Sequence, residues 1–158
     1  MKKGVQRVLS VGAVVFLIGY GAASVFAQDR EAAVADRQAT MKAQGAAMAG
    51  IKKYLEDASD QTAASKNAEE LAKLASMLRT KFPAGTSTVD FPGKSGAKPT
   101  IWTEADKFSS AEKTMVEQAT KLDAVVKSGD KKAIAEQLAT TGKEGCGGCH
   151  ATFREKLG

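Results

Sequence analysis

The chain has 158 residues, 43% hydrophobic and 26% charged, with two cysteines, one histidine and a formal net charge of +5. That length is one domain's worth, enough to bury a core without disulfide staples. The positive balance excludes little until its position is known, because Lys2, Lys3 and Arg7 stand ahead of an apolar run, Val11 to Ile18, that leads into small residues and Val25-Phe26-Ala27. This is the layout of an export signal with a peptidase site after Ala27. Its removal would take three positive charges and no acid, leaving residues 28–158 at a net charge of +2, so basicity is not a nucleic-acid signal here. An uncleaved anchor is the alternative, since Val8 to Ala27 approaches the length of a bilayer crossing. Either reading places the remainder outside the cytoplasmic membrane. The natural compartment is the periplasm of a Gram-negative bacterium, where two free thiols three residues apart are normally oxidised or occupied.

Past the signal, residues 28–158 are expected to form one domain of four helices. Val34, Met41, Met48 and Leu55 recur every seven residues with Ile51 on the same face, predicting a first amphipathic helix. Ala64, Leu71 and Leu78 repeat the spacing with Ala68, Ala75 and Phe82 beside them, and Ser59 or Asp60 can cap this second helix. All three prolines, Pro83, Pro92 and Pro99, fall between Lys81 and Thr103 with Gly85, Gly93 and Gly96, which predicts one long irregular link. Thr103 with Asp106 three residues on has the form of a capping box for a third helix, whose stripe is Phe108, Met115 and Leu122 with Ala111, Ala119 and Val126. Ser128-Gly129-Asp130 ends that helix and caps a fourth, with Ile134, Leu138, Cys149 and Phe153 on its stripe. No segment alternates with period two. The expectation is an all-α, antiparallel up-down-up-down four-helix bundle with its long loop between the second and third helices.

Both cysteines and the sole histidine stand together in Glu144-Gly145-Cys146-Gly147-Gly148-Cys149-His150. Cys146 and Cys149, spaced i, i+3, share one side of a helical turn, and His150 follows directly. Cys-x-x-Cys-His is the attachment signature of a c-type haem: each thiol adds across a vinyl group and the imidazole takes an axial iron position. Three other uses compete with it. A zinc site wants four protein ligands, and this chain offers three of the preferred kinds, all contiguous. A redox-active dithiol wants a strand-turn-helix setting, and a simple disulfide has no need of His150. The export signal and the motif together favour haem. No enzyme constellation accompanies it.

The chain resembles a class II cytochrome c, of the cytochrome c prime family, over essentially all of residues 28–158. The likeness is carried by Arg37-Gln38 with Met41, by Phe82-Pro83-Ala84-Gly85-Thr86, by Lys98-Pro99-Thr100-Ile101-Trp102, and by the terminal motif with Phe153-Arg154 behind it. The resemblance implies one covalent haem c per chain, thioethers at Cys146 and Cys149, and His150 as the proximal ligand. It also implies contacts from Arg37 and Gln38 to the haem propionates, a close backbone approach at Gly96, and Arg154 beside the proximal face. High-spin members carry a non-ligating side chain four residues after the arginine, whereas this chain has Met41, as low-spin members of the c-556 type do. The similarity therefore implies a His/Met-ligated periplasmic electron carrier, with small-gas binding as the alternative and an anchored sensor or accessory subunit as a third reading. Partners would be periplasmic redox proteins, with no nucleic acid and no membrane once the signal is removed, and the chain would be a monomer or a homodimer. Met48, Met77 and Met115 are expected to fill core, and Trp102 to anchor packing.

Overall fold

A computed structural model describes residues 21–57 and 60–157. Residues 1–20 of the predicted export signal lie outside the described residues, as does Ser59. Helix α1 runs Gly21–Asp57, and α2 runs Gln61–Ser76. A 3-10 turn, Leu78–Lys81, leads into the link, and a short α3, Thr100–Thr103, closes it. Helix α4 runs Ala105–Ser128 and α5 runs Lys131–Thr140. A π-helical segment, Thr141–Gly147, then joins α5 to α6, Gly148–Phe153. The bundle closes on itself: α1 packs on α2, α2 on α4, α4 on α5, and α5 on α1. Its four members are α1, α2, α4 and the composite α5–π–α6.

Local chemistry accounts for the ends. The Asp60 carboxylate accepts from the Ala63 N–H at 3.0 Å and so satisfies a donor that the first turn of α2 leaves unpaired. Gly129 ends α4 at φ 73°, a left-handed conformation that a Cβ would strain. Asp130 then caps α5, accepting from the N–H groups of Lys132 and Ala133 at 3.0 and 3.1 Å. The capping box predicted from Thr103 and Asp106 does not form. Thr103 is instead the last residue of α3, and Glu104 is the N-cap of α4 without a side-chain cap bond. The turn begun at Pro99 takes up Thr103, and Glu104 turns outward to pair with Lys107 at 2.7 Å.

Most of the predicted stripes are buried: Ala64, Ala68, Leu71, Ala75 and Leu78 from α2 and its extension meet Met115, Ala119, Leu122 and Val126 from α4, with Ile134 from α5. On α1 the stripe is shifted. Its most buried line is Val34, Arg37, Thr40, Gln44, Ala47, Ile51 and Tyr54, while Met41, Met48 and Leu55 sit half-buried along its edge. Met77 is exposed rather than core, because it is the C-cap residue of α2. The last stripe also divides: Leu138 packs on the main core, whereas Cys149 and Phe153 join a second cluster with Ile101, Phe108, Phe82 and Trp102. Each residue of a π-helix turns the chain through a smaller angle than in an α-helix, so the π-segment changes the direction in which the following turn faces. Its close approach to α4 depends on Gly145, where a Cβ would lie 2.8 Å from Met115 Sδ.

Candidate cofactor site

The second cluster is built from aromatic edges. The Phe108 ring meets Phe82 at 4.9 Å and Phe153 at 5.2 Å between centroids, both close to perpendicular, an arrangement that adds electrostatic attraction to the burial of three rings. Trp102 anchors the link above them, its indole N–H donating to the Phe82 carbonyl at 3.2 Å. The chain leaving α6 pairs with the link: the Lys98 N–H donates to Phe153 O at 3.0 Å and the Glu155 N–H to Gly96 O at 2.8 Å. Only a residue without a Cβ fits at Gly96, since that atom would lie 2.7 Å from Glu155 O.

These elements enclose a cavity of about 380 Å³. Phe82, Ile101, Phe108 and Phe153 supply its apolar wall, Met41 enters from α1, and Cys149 and His150 enter from α6. Gln38, Lys42 and Arg154 stand at its polar side. Of the eight site residues predicted from sequence, seven line this one space: Arg37, Gln38, Met41, Gly96, Cys149, His150 and Arg154. Cys146 is not brought to it. That residue lies in the π-segment and packs against the main core, with Sγ 4.0 Å from Met115 Sδ.

Both cysteines are free thiols. Burial pushes the Cys149 thiol up to about 11, with nearby Glu112 and Cys146 adding to the effect, and burial pushes Cys146 up as well. His150 moves the other way, its protonation disfavoured first by burial and then by the charge of Arg154. At neutral pH the cavity therefore presents the Cys149 S–H and a neutral imidazole with a free lone pair, while Cys146 stays an S–H against the main core. Among the described residues, no group of three or more His, Cys, Asp or Glu is placed to hold a metal ion by itself.

Arg37, predicted to contact a propionate, is instead bonded to groups of the protein itself. It is buried, and its guanidinium donates to Thr86 Oγ1, Thr86 O and Ser95 Oγ at 2.9 Å and to Lys81 O at 3.3 Å. Its carbon lies 5.0 Å from the centre of the Phe82 ring. Gln38 Nε2 donates to Lys94 O at 2.6 Å, so both members of the pair hold the link against α1. Among the described residues, the Nε–H of Arg37 is the one guanidinium donor without an acceptor.

A haem fits these residues. Its flat hydrophobic faces match the aromatic and aliphatic wall, its carboxylates match the polar side with Gln38, Lys42 and Arg154, and a thiol and an imidazole stand where attachment and ligation need them. The three phenylalanines, Ile101 and Lys42 were not singled out as cavity residues by sequence. Phe82, Ile101 and Phe153 stood only among the residues that carry the resemblance, and Phe108 only on a helix stripe.

Comparison with known proteins agrees. Residues 32–154 match the family described as Cytochrome C′. The chain is 32% identical over 126 residues to cytochrome c′ of Pararhodospirillum photometricum, covering 79% of this chain and 98% of that protein. It superposes with a TM-score of 0.73, at 25% identity and over 80% of this chain and 97% of the other, on a cytochrome c′ described as having an unusual ligand-controlled dimer dissociation. A ferrous variant of cytochrome c prime from Alcaligenes xylosoxidans with bound NO shares the fold, with a TM-score of 0.69, 22% identity and coverage of 80% and 96%. The chain belongs to the cytochrome c′ family and, like that family's members, carries one covalently attached haem c.

Proposed function

We propose that the protein is an exported, periplasmic electron carrier whose haem is bonded through Cys146 and Cys149 and ligated by His150 and Met41. The observation that carries this reading is that Met41 and His150, from the first and last helices of the bundle, line the same cavity. A thioether is soft and sits on a flexible stem, and a His/Met pair favours ferrous iron and so raises the potential. The bound haem supplies one-electron chemistry at iron. The protein's part is to exclude water with Phe82, Phe108 and Phe153, to keep His150 neutral, and to present Met41. Export would remove residues 1–27, and the exposed Lys143, Arg154 and Lys156 would meet acidic redox partners.

Small-gas binding is the second reading, and the comparisons lean toward it: the relative matched over nearly its whole length is named cytochrome c′, and a neighbour of the same fold holds nitric oxide. It requires Met41 to be off the iron or easily displaced. The absorption spectrum of the reduced protein, with and without carbon monoxide, distinguishes the two: a low-spin spectrum unchanged by the gas supports the carrier, and a high-spin spectrum that shifts supports gas binding.

A further inference from the structure

Glu112 is a buried carboxyl that neither reading uses. It lies on α4 between Phe108, whose ring packs on Phe153, and Met115, whose sulfur meets Cys146. One turn separates it from each, so it sits on the part of α4 nearest the Cys-x-x-Cys-His segment. Among the described residues, its buried Oε1 accepts no hydrogen bond, and its Oε2 pairs with Arg79 Nε at 3.5 Å. That arginine is a weak partner, 75% exposed and shared with Ser109 Oγ at 2.7 Å. Glu112 also lines a groove of about 350 Å³ between the end of α2 and α4, with Arg79, Ser109, Lys113 and Glu117. The carboxyl thus stands between a solvent-connected groove and the haem-bearing turn.

We propose that Glu112 is a proton-binding site tied to the redox state of the haem: as one electron arrives from a reduced partner protein, the Glu112 carboxylate takes up one proton from solvent through the groove. A buried carboxylate whose one ion-pair partner is exposed is costly, so burial favours its protonated form. Burial raises the Glu112 carboxyl above its ordinary range, and Arg79 opposes that rise. The charge of Glu112 is in turn felt at Cys149, where it helps to push the thiol up. The groups that face Glu112 are Arg79 from the turn after α2, Lys113 and Glu117 from α4 itself, and Cys149, with Cys146, His150 and Arg154 near it, from the terminal segment. Both cysteines cease to titrate once they are thioethers. An added electron makes the haem site more negative by one charge, so it raises the proton affinity of Glu112. The balance is one electron and one proton gained on reduction, and both released on oxidation. This holds whether or not Met41 ligates the iron.

The test is the midpoint potential of the intact holoprotein, measured against pH across the neutral range. The wild-type potential should fall as pH rises, by up to ~59 mV for each tenfold drop in proton concentration between the two carboxyl pKa values. Glu112→Gln keeps the shape and removes the site, and it should flatten that slope. Lys113→Gln, a change in the same groove, should leave the slope in place. Redox-difference infrared spectra give a second readout: a protonated-carboxyl band that grows on reduction in wild type and is absent from Glu112→Gln. A Glu112→Gln profile superimposable on wild type, an equal flattening by Lys113→Gln, or the lack of that band in wild type would each overturn the proposal.

Discussion

Arg37 donates to both the hydroxyl and the carbonyl oxygen of Thr86, each at 2.9 Å, across 49 residues of sequence. The helix that carries Met41 is thereby fixed to the link that carries one wall of the cavity. Replacing Arg37 with Ala removes the donor to Thr86 Oγ1, Ser95 Oγ and Lys81 O and leaves Thr86 O with the Ser95 hydroxyl at 2.8 Å, and the cost should be about 3 kcal/mol, read as a lowered denaturant midpoint. Arg37→Lys should rescue little, since an ammonium cannot reproduce the forked geometry. A loss under about 0.5 kcal/mol in the alanine variant would show that water replaces the guanidinium.

Gly96→Ala tests the closure of the link on the C-terminal segment. The new methyl would meet Glu155 O at 2.7 Å, so the Glu155 N–H to Gly96 O bond of 2.8 Å must lengthen or break. The expected cost is about 1–3 kcal/mol, with faster amide exchange at Glu155 than at positions inside α4. Unchanged exchange at Glu155 would mean that the segment shifts without losing its bond.

Much of this arrangement was readable in the sequence because the helices obey rules of short range. Period, capping residues and the proline-rich link located four helices, and the Cys-x-x-Cys-His motif pointed to the cavity that Cys149 and His150 line. What was not readable depends on contacts far apart in the chain. Seven-residue spacing found the right side of α1 but centred it on Met41 and Met48, because a hydropathy pattern cannot foresee that Arg37, Thr40 and Gln44 would be buried in their stead. Thr103 carries the correct cap chemistry, yet Pro99 starts a turn that absorbs it. The π-segment leaves no periodic trace. It is held by Thr141, whose Oγ1 lies 2.8 Å from Gln137 O and 3.2 Å from Gln118 O, and by a Gln137 amide that donates to Gln118 Oε1 at 2.8 Å.

Covalent attachment makes a prediction about mass. The denatured, acid-extracted protein should keep its haem colour and weigh one haem more than residues 28–158. Cys146→Ala and Cys149→Ala should each retain haem through one bond and less completely, and the double variant should release all of it. Full extraction of haem from the wild-type chain would remove both thioethers from the account.

Lys143, Arg154 and Lys156 are all exposed beside the terminal motif. If they steer an acidic partner, the second-order rate of electron transfer should fall as salt rises, because exposed charges are screened over ~10 Å at 0.1 M. A rate independent of ionic strength would show these residues to be merely solvated.

The measurement that bears most directly on the central claim is the ferrous spectrum of wild type and Met41→Leu, each with and without carbon monoxide. Leucine nearly preserves volume and helix propensity, so repacking at this half-buried site should cost under about 1.5 kcal/mol, apart from the lost iron bond. Wild type should be low-spin and indifferent to the gas. Met41→Leu should be five-coordinate and high-spin, bind carbon monoxide readily and show a lower reduction potential, while Met48→Leu, two turns further along α1, should match wild type. Identical high-spin spectra and equal carbon monoxide binding by wild type and Met41→Leu would contradict ligation by Met41 and leave small-gas binding as the function of the site.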